Sequence, residues 1–416
     1  MASGEIAVRR WEDCGDLWAR TDENNLLDLE HPPAGFALYG AEPEPATRRA
    51  ALIVSQLPRH IDAGSRWLGA VRSGVKHIVD HRWSIVSSYG GTNWDYITWC
   101  AARFDIRLWV VSPPVRLERF RSVASDLTGQ LQLDPARTTF VVPVTGDSLP
   151  KAERLHLRDR VLFHMAHHRF PIVIRKGGFW EKFIENAPGL DARFQAPRPE
   201  PLQPAWNRDR SWMIHLEDRD WNGTLIHWTR GTYGPWSGET TADYFEALTD
   251  TASGNPRDGL ATLAHIFSSG VLRGEGRMIR RRVPVVSFSE NHPWEVLKSI
   301  RYRPALGRWN FEPYGIVVPK SKLVELGARP VIYGADDEFN LLPTELKPFF
   351  QFKGRYTRGN AASSDWTAEK EWRLVGDLDL DSISDHVSLI VPTRNEAQRL
   401  RRLCGGKVVP LESSGR

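Results

Sequence analysis

At 416 residues, with a formal net charge of +4, 41% hydrophobic and 25% charged residues, the chain has the make-up of a globular protein, and its length favours two domains. No apolar run approaches the roughly 18 residues of a membrane span, and the opening MASGEIAVRR lacks the apolar stretch of a secretory signal, so the expectation is a cytoplasmic protein without a membrane partner. Cys14, Cys100 and Cys404 are odd in number and far apart, which argues against a disulfide framework or a zinc cage, and +4 alone does not mark a nucleic-acid binder.

Residues 1–45 are poorly patterned and read as an N-terminal extension. From 46 to 190, short β-rich runs alternate with helical spacing. The runs are Ala51–Val54, Ser84–Ser87, Ile106–Val111, Thr139–Val142 and Ile172–Ile174. Between them Trp67, Leu68, Val71, Val75, Ile78 and Val79, and later Leu155, Val161, Leu162 and Met165, recur on one helical face. Such alternation predicts an α/β domain with a parallel sheet covered by helices on both faces. Ser87–Asn93, including Ser88, Gly90, Gly91 and Thr92, joins a strand to a helix that carries Asp95. Arg175-Lys176-Gly177-Gly178 does the same after the last run. Small residues at such turns let backbone N–H groups meet a phosphate at a helix N-terminus, although a Gly-Gly pair also serves as a plain tight turn. With Gly64-Ser65-Arg66 and Arg158-Asp159-Arg160, these loops resemble those of the SLOG superfamily, the Rossmann-like group of DprA-type and LOG-type proteins. The resemblance implies binding of a nucleotide or nucleotide-derived signal over residues 48–190. His164 and His168 stand at the i, i+4 spacing of two zinc ligands, but no Glu follows His164 and no metal is expected.

Pro188, Pro197, Pro199, Pro201 and Pro204 exclude a helix or central strand there, so residues 191–210 read as a linker or extended strap. Residues 211–405 then form an α+β domain. Its strands are expected at 224–228, 283–288, 314–318, 330–333, 372–375 and 387–391, and its helices near 258–269 and 320–326. Seventeen tryptophans mostly serve packing, with Trp228, Trp294, Trp309 and Trp366 beside polar loops as candidate stacking platforms.

Three fragments of this domain carry groups an apolar core would not choose. In His227-Trp228-Thr229-Arg230, strand alternation puts His227 and Thr229 on one side. Ser287-Phe288-Ser289 offers two hydroxyls on one side and an aromatic on the other. In an extended Glu369-Lys370-Glu371, both carboxylates face one way. One would hold a ribose hydroxyl and stabilise an oxocarbenium-like centre while its partner positions or deprotonates an acceptor, or the pair is an exposed edge balanced by Arg373. Arg273, Arg277, Arg280, Arg281 and Arg282 crowd one stretch, either attracting phosphate or forming a solvated basic loop.

The order His-x-Thr, helix with glycine stop, Ser-Phe-Ser-Glu, Tyr314-Gly315-Ile316 and Glu-x-Glu-Trp-Arg resembles AbiGi-type abortive-infection proteins and, more distantly, DarT-type ADP-ribosyltransferases. The resemblance implies an ADP-ribosyltransferase-like domain with NAD as cofactor. It implies His227 on the adenosine-side ribose, Phe288 or Tyr314 flanking nicotinamide, and Glu371 or Glu369 as catalytic carboxylate. The function expected is an antiphage or toxin-like effector controlled by a nucleotide-sensing domain. Its partners would be a nucleic-acid or protein acceptor, a nucleotide-derived signal and a second copy of the chain. The alternatives are a non-catalytic nucleic-acid-binding or antitoxin-type protein and an NAD glycohydrolase. A nuclease is less favoured because no compact Asp/Glu/Lys metal constellation is present.

Overall fold

The computed structural model describes residues 6–10, 13, 17–18, 33–42, 47–58, 61–145, 149–185, 187, 189–200, 203–214, 216, 219–277, 279–303, 308–355 and 363–412. Cys14, Pro188 and Pro201 lie outside these residues. The chain divides into two compact units, Met1–Leu202 with Gly234–Pro256, and Gln203–Tyr233 with Arg257–Arg416.

In the first unit, strands β1 (Ala7–Arg10), β2 (Gly35–Gly40), β3 (Arg49–Val54), β4 (Ser84–Ser88), β5 (Leu108–Val111), β6 (Thr138–Val144) and β7 (His168–Val173) form one sheet in the order β1-β2-β6-β5-β4-β3-β7. From β6 to β7 the neighbours are parallel. At the other edge β2 and β1 add antiparallel, so the sheet is mixed rather than all parallel. Both added strands lie within residues 1–45, read from the sequence as an extension, and Ala7–Arg10 and Gly35–Gly40 belong to the sheet. Gly35-Phe-Ala-Leu-Tyr-Gly is a short apolar run buried from Gly35 to Leu38, and such a run has no periodicity to betray it.

Helices α1 (Arg66–Asp80), α2 (Thr92–Ala102), α3 (Leu117–Leu131), α4 (Lys151–Met165) and α5 (Phe179–Ile184) complete the α/β arrangement. Trp67, Leu68, Val71, Val75 and Ile78 of α1 are buried, as their spacing predicts. Successive strands step from β3 to β6, and β7 then returns to the other side of β3. Strand order therefore reverses between β3 and β7, where open α/β sheets hold ligands at their carboxyl ends.

Residues 234–256, expected within 211–405, pack instead with the first unit. Their helix α6 (Thr241–Asp250) opens on a capping box between Thr240 and Asp243 and buries Ala242, Tyr244, Phe245 and Leu248. Phe245 meets Tyr96 edge-on at 5.3 Å and Trp99 at 5.6 Å, so this apolar face supplies the cover for α2. The Pro-rich stretch also packs here, as a strap. Ala196 N–H donates to the Ile172 carbonyl at 2.7 Å, and Phe194 lies 5.4 Å from Phe170.

The second unit holds β8 (Thr224–Thr229), β9 (Val285–Ser289), β10 (Tyr314–Pro319), β11 (Arg329–Pro330), β12 (Glu371–Val375), β13 (Ser388–Val391) and β14 (Val408–Pro410), in the order β11-β12-β9-β8-β10-β13-β14. Pairing is antiparallel except between β13 and β14, which lies beyond the expected boundary at 405. Helix α7 (Gly259–Ser268) is capped by Asp258, whose Oδ1 accepts the Ala261 N–H at 2.8 Å, and α8 (Arg394–Cys404) is capped by Thr393. Leu225, Ile316, Val318, Leu389 and Ile390 centre a core separate from that of the first unit.

Candidate functional site

Register decides what the three fragments of the second unit can do together. Across β9 and β12, Ser287 pairs with Arg373, Phe288 with Trp372 and Ser289 with Glu371, while Ser289 also pairs with Ile226 of β8. Because side chains alternate along a strand, Ser287, Ser289, Glu371 and Arg373 share one face with Ile226 and Trp228. His227, Thr229, Phe288, Trp372 and Tyr314 occupy the other face, since β10 pairs Ile316 with His227 and Tyr314 with Thr229. His227 and Phe288 rings are 6.1 Å apart, in keeping with a shared face. Register thus puts His227 and Glu371, which the resemblance assigns to one NAD site, on opposite faces of the sheet. His227 and Thr229 do point together, but a one-residue offset between strands sends the serines to Trp228's side.

On the serine face the Glu371 carboxylate is held at both oxygens. Ser287 Oγ donates to Oε1 at 2.6 Å, and the Arg373 guanidinium donates from Nε to Oε1 at 2.9 Å and from Nη2 to Oε2 at 3.0 Å. Arg373, only 2% exposed, is itself fixed by the carbonyls of Pro348 and Phe350 and by Gln351 Oε1, at 3.0, 2.9 and 2.8 Å. Its place two residues after Glu371, on the same face, is a signal the sequence carried as a simple charge balance.

Glu369 is treated differently. It closes the short helical turn Thr367–Glu369, and Lys370 follows in the left-handed region at φ 42°, ψ 50°. The Glu-Lys-Glu stretch is thus bent and not extended, a correction to the expected parallel carboxylates. Burial and then the Glu371 charge raise the Glu369 carboxyl to about 7, against the pull of Arg303, Arg373 and Arg230. Among the described residues its carboxyl has no hydrogen-bond partner, while its backbone carbonyl accepts from Ser289 Oγ at 3.0 Å. Arg230 donates to the Asn310 carbonyl at 3.2 Å. Trp228 Nε1 is buried with no partner among the described residues, an orphaned donor on the face of the carboxylates.

On the opposite face His227 and Trp372 are half-buried, whereas Phe288 and Tyr314 are closed off. Phe288 and Tyr314 are 2% and 4% exposed, so neither flanks a ligand as the resemblance implied. Tyr314 Oη donates to Glu396 at 2.8 Å. Desolvation lowers the His227 pKa, and its Nδ1 donates to the Ser287 carbonyl at 2.9 Å, bracing β9 from behind rather than reaching a ligand beside Glu371. Beneath Tyr314, burial raises Glu312 to about 7 and also raises Asp258 and Glu396. This buried acid group was not foreseen, because its members are far apart in sequence. Of the expected platforms, Trp309 is packed edge-on against Trp206 at 5.2 Å, Trp228 and Trp294 pack against the core, and Trp366 is exposed.

In the first unit the glycine loops do stand at the carboxyl ends of β3, β4 and β7, and each already holds a carboxylate. Asp62 Oδ1 accepts from Gly64 and Gly254 N–H at 2.7 and 2.9 Å, Asp95 Oδ1 from Gly90 N–H at 3.0 Å, and Glu181 Oε2 from Gly177 N–H at 2.6 Å. Amides that a phosphate would seek are met by the chain's own anions, which an incoming phosphate must displace. Burial raises Asp95 to about 6, against the Gly90 hydrogen bond and Arg158. Gly90 and Gly177 adopt φ of 89° and 69°, conformations that suit glycine. Gly91 caps α2, which Thr92 opens, Ser65 caps α1, which Arg66 opens, and Gly178 caps α5. Arg175 is exposed, and its N–H donates to Ser55 Oγ at 2.9 Å, tying the end of β7 to β3. Ser88 Oγ is spent on the Val111 carbonyl at 2.7 Å and faces the interior. Arg158 and Asp159 form a buried pair at 2.6 Å in the middle of α4. His164 lies on α4 but His168 opens β7, so they do not share a helix face.

Concavities lined by Ser125, Asp126, Gly129, Gln130 and Thr240, and by Lys322 and residues 382–386, include none of these groups. No protein-family model matches the chain, and no curated protein does. Among solved structures, one of DNA processing protein A from Helicobacter pylori, described for its single-stranded DNA binding mode, is similar. It has 9% identity and a TM-score of 0.32, over 47% of this chain and 86% of that one.

Proposed function

We propose that the second unit is an NAD-dependent ADP-ribosyltransferase working through Glu369 and Glu371, and that the first unit is its nucleotide-sensing control, in antiphage or toxin-like defence. One observation carries this reading: two carboxyl groups share one electrostatic field and receive opposite treatment. Glu371 is locked by Arg373 and Ser287, whereas Glu369 lacks a partner among the described residues and titrates near neutrality.

The donor set fits the ligand. Glu371 Oε2 accepts one hydrogen bond from Arg373 and keeps a lone pair for a ribose hydroxyl, and the orphaned Trp228 Nε1 offers a buried donor on the same face. NAD supplies the ribosyl group, its C1–N bond breaking with the electron pair leaving on nicotinamide. Glu371 holds fixed negative charge beside the positive charge that develops. Glu369, in its ionised form, takes the proton that the acceptor loses as its oxygen or nitrogen bonds to C1. Asp62, Asp95 and Glu181 set the response of the first unit, because a signal phosphate must replace them at the glycine amides.

Incubation of the purified chain with NAD labelled on the adenylate, in the presence of DNA, RNA and cell lysate, tests the reading. Label transferred to a macromolecule supports it and identifies the acceptor class. Free ADP-ribose alone makes water the acceptor and the protein a glycohydrolase, and full activity in Glu371→Gln excludes the proposed site.

A further inference from the structure

Residues 273–282 carry Arg273, Arg277, Arg280, Arg281 and Arg282, all exposed, against a single acidic residue, Glu275. Three of the five have acidic partners: Arg273 with Asp377 at 3.8 Å, Arg277 with Glu275 at 3.9 Å and Arg280 with Asp336 at 2.7 Å. Arg281 and Arg282 have no acidic partner among the described residues. Both also adopt left-handed backbone, with φ of 68° and 56°. Residues bearing a Cβ disfavour this backbone, and two of them in succession are not explained by any ion pair they make. The conformation is held from below. The Arg280 guanidinium lies 4.1 Å and that of Arg281 5.8 Å from the ring centre of buried Phe339, over which Lys347 also sits at 5.5 Å. The result is a strained turn that displays two guanidinium groups without acidic partners among the described residues, on a basic, aromatic-backed surface.

We infer that this turn is a docking surface for the phosphodiester backbone of a nucleic acid, with Arg281 and Arg282 as its phosphate contacts. Planar guanidinium forks match phosphate oxygens, and each neutralised phosphate releases condensed counterions. Successive phosphates repay two adjacent unpaired cations better than an isolated carboxylate does. The surface stands apart from the proposed chemistry: it requires neither NAD nor Glu369.

The test is binding of fluorescein-labelled mixed-sequence DNA and RNA oligonucleotides to the full chain, followed by anisotropy over a salt series. The diagnostic variant is Arg281→Gly with Arg282→Gly, because glycine accepts the left-handed backbone and removes only the side chains. Its melting temperature should equal or exceed that of the parent, while affinity near 0.1 M salt falls on the order of tenfold and the salt slope drops by about 1.4–1.8. Arg119→Ala with Arg121→Ala removes the same charge from exposed sites on the first unit and should leave both quantities nearly unchanged. Equal loss in the two double variants would reduce the effect to net charge and overturn the assignment. So would the absence of salt-dependent binding by the parent, or competition by polyglutamate as effective as by unlabelled oligonucleotide.

Discussion

Glu369 and Glu371 stand two positions apart in different surroundings, and the proposed function gives them different tasks. If Glu369 accepts a proton during turnover, kcat should rise with pH and level off above about 7, where the carboxyl is ionised. Glu369→Gln should abolish that limb and lower kcat on the order of a hundredfold, with KM for NAD little changed, as steady-state kinetics over a pH series would show. At Arg373 the expected loss is structural as well. Arg373→Met leaves Glu371 without its buried counter-charge and strands the carbonyls of Pro348 and Phe350, so urea unfolding should report about 3 kcal/mol of destabilisation. The candidate residues on the serine face were legible because alternation within a strand can be read from spacing. The relation between strands was not, because register depends on tertiary pairing, and it moved His227, Thr229, Phe288 and Tyr314 to the other face.

Among elements, the sheet beside Tyr314 carries the clearest pH signature. Burial raises Glu312 from 4.5 to about 7, so its protonated form is favoured in the folded chain, and stability falls as pH rises between about 4.5 and about 7. Glu312→Gln should flatten part of that slope, raising the melting temperature by several degrees at pH near 8 and leaving it unchanged at pH near 4. Asp258 and Glu396 shift in the same direction and should preserve the remainder. Most strands of both sheets were foreseen because they are β-rich runs bounded by turn residues. Helix α1 was foreseen because Trp67, Val71, Val75 and Ile78 form one buried stripe. β2 escaped notice as a short apolar run without alternation, and α8 because its buried apolar contribution is confined to Ala397 and Leu400 amid seven charged or amide side chains.

At the scale of the molecule, the two units are not consecutive segments. The chain leaves the second unit after Tyr233, contributes α6 to the first and returns at Arg257. Nothing in local composition announces this excursion, since the pattern of α6 shows only that it has an apolar face and not which core receives it. Phe245→Ala should therefore destabilise the first unit, by about 3–5 kcal/mol, although the residue lies beyond the Pro-rich stretch. Hydrogen exchange resolved by peptide would show lost protection in α2 and α6 while β8, β9 and β10 keep theirs. The proposed division of labour, a nucleotide-responsive first unit and a carboxylate-pair second unit, rests most directly on turnover of NAD. The decisive measurement is nicotinamide release by the full chain, its Glu371→Gln variant and its His227→Ala variant, each checked for native melting. Release by the parent, loss on the order of a thousandfold in Glu371→Gln and a smaller loss in His227→Ala are expected. Equal release by the parent and Glu371→Gln would contradict a catalytic role for the serine face.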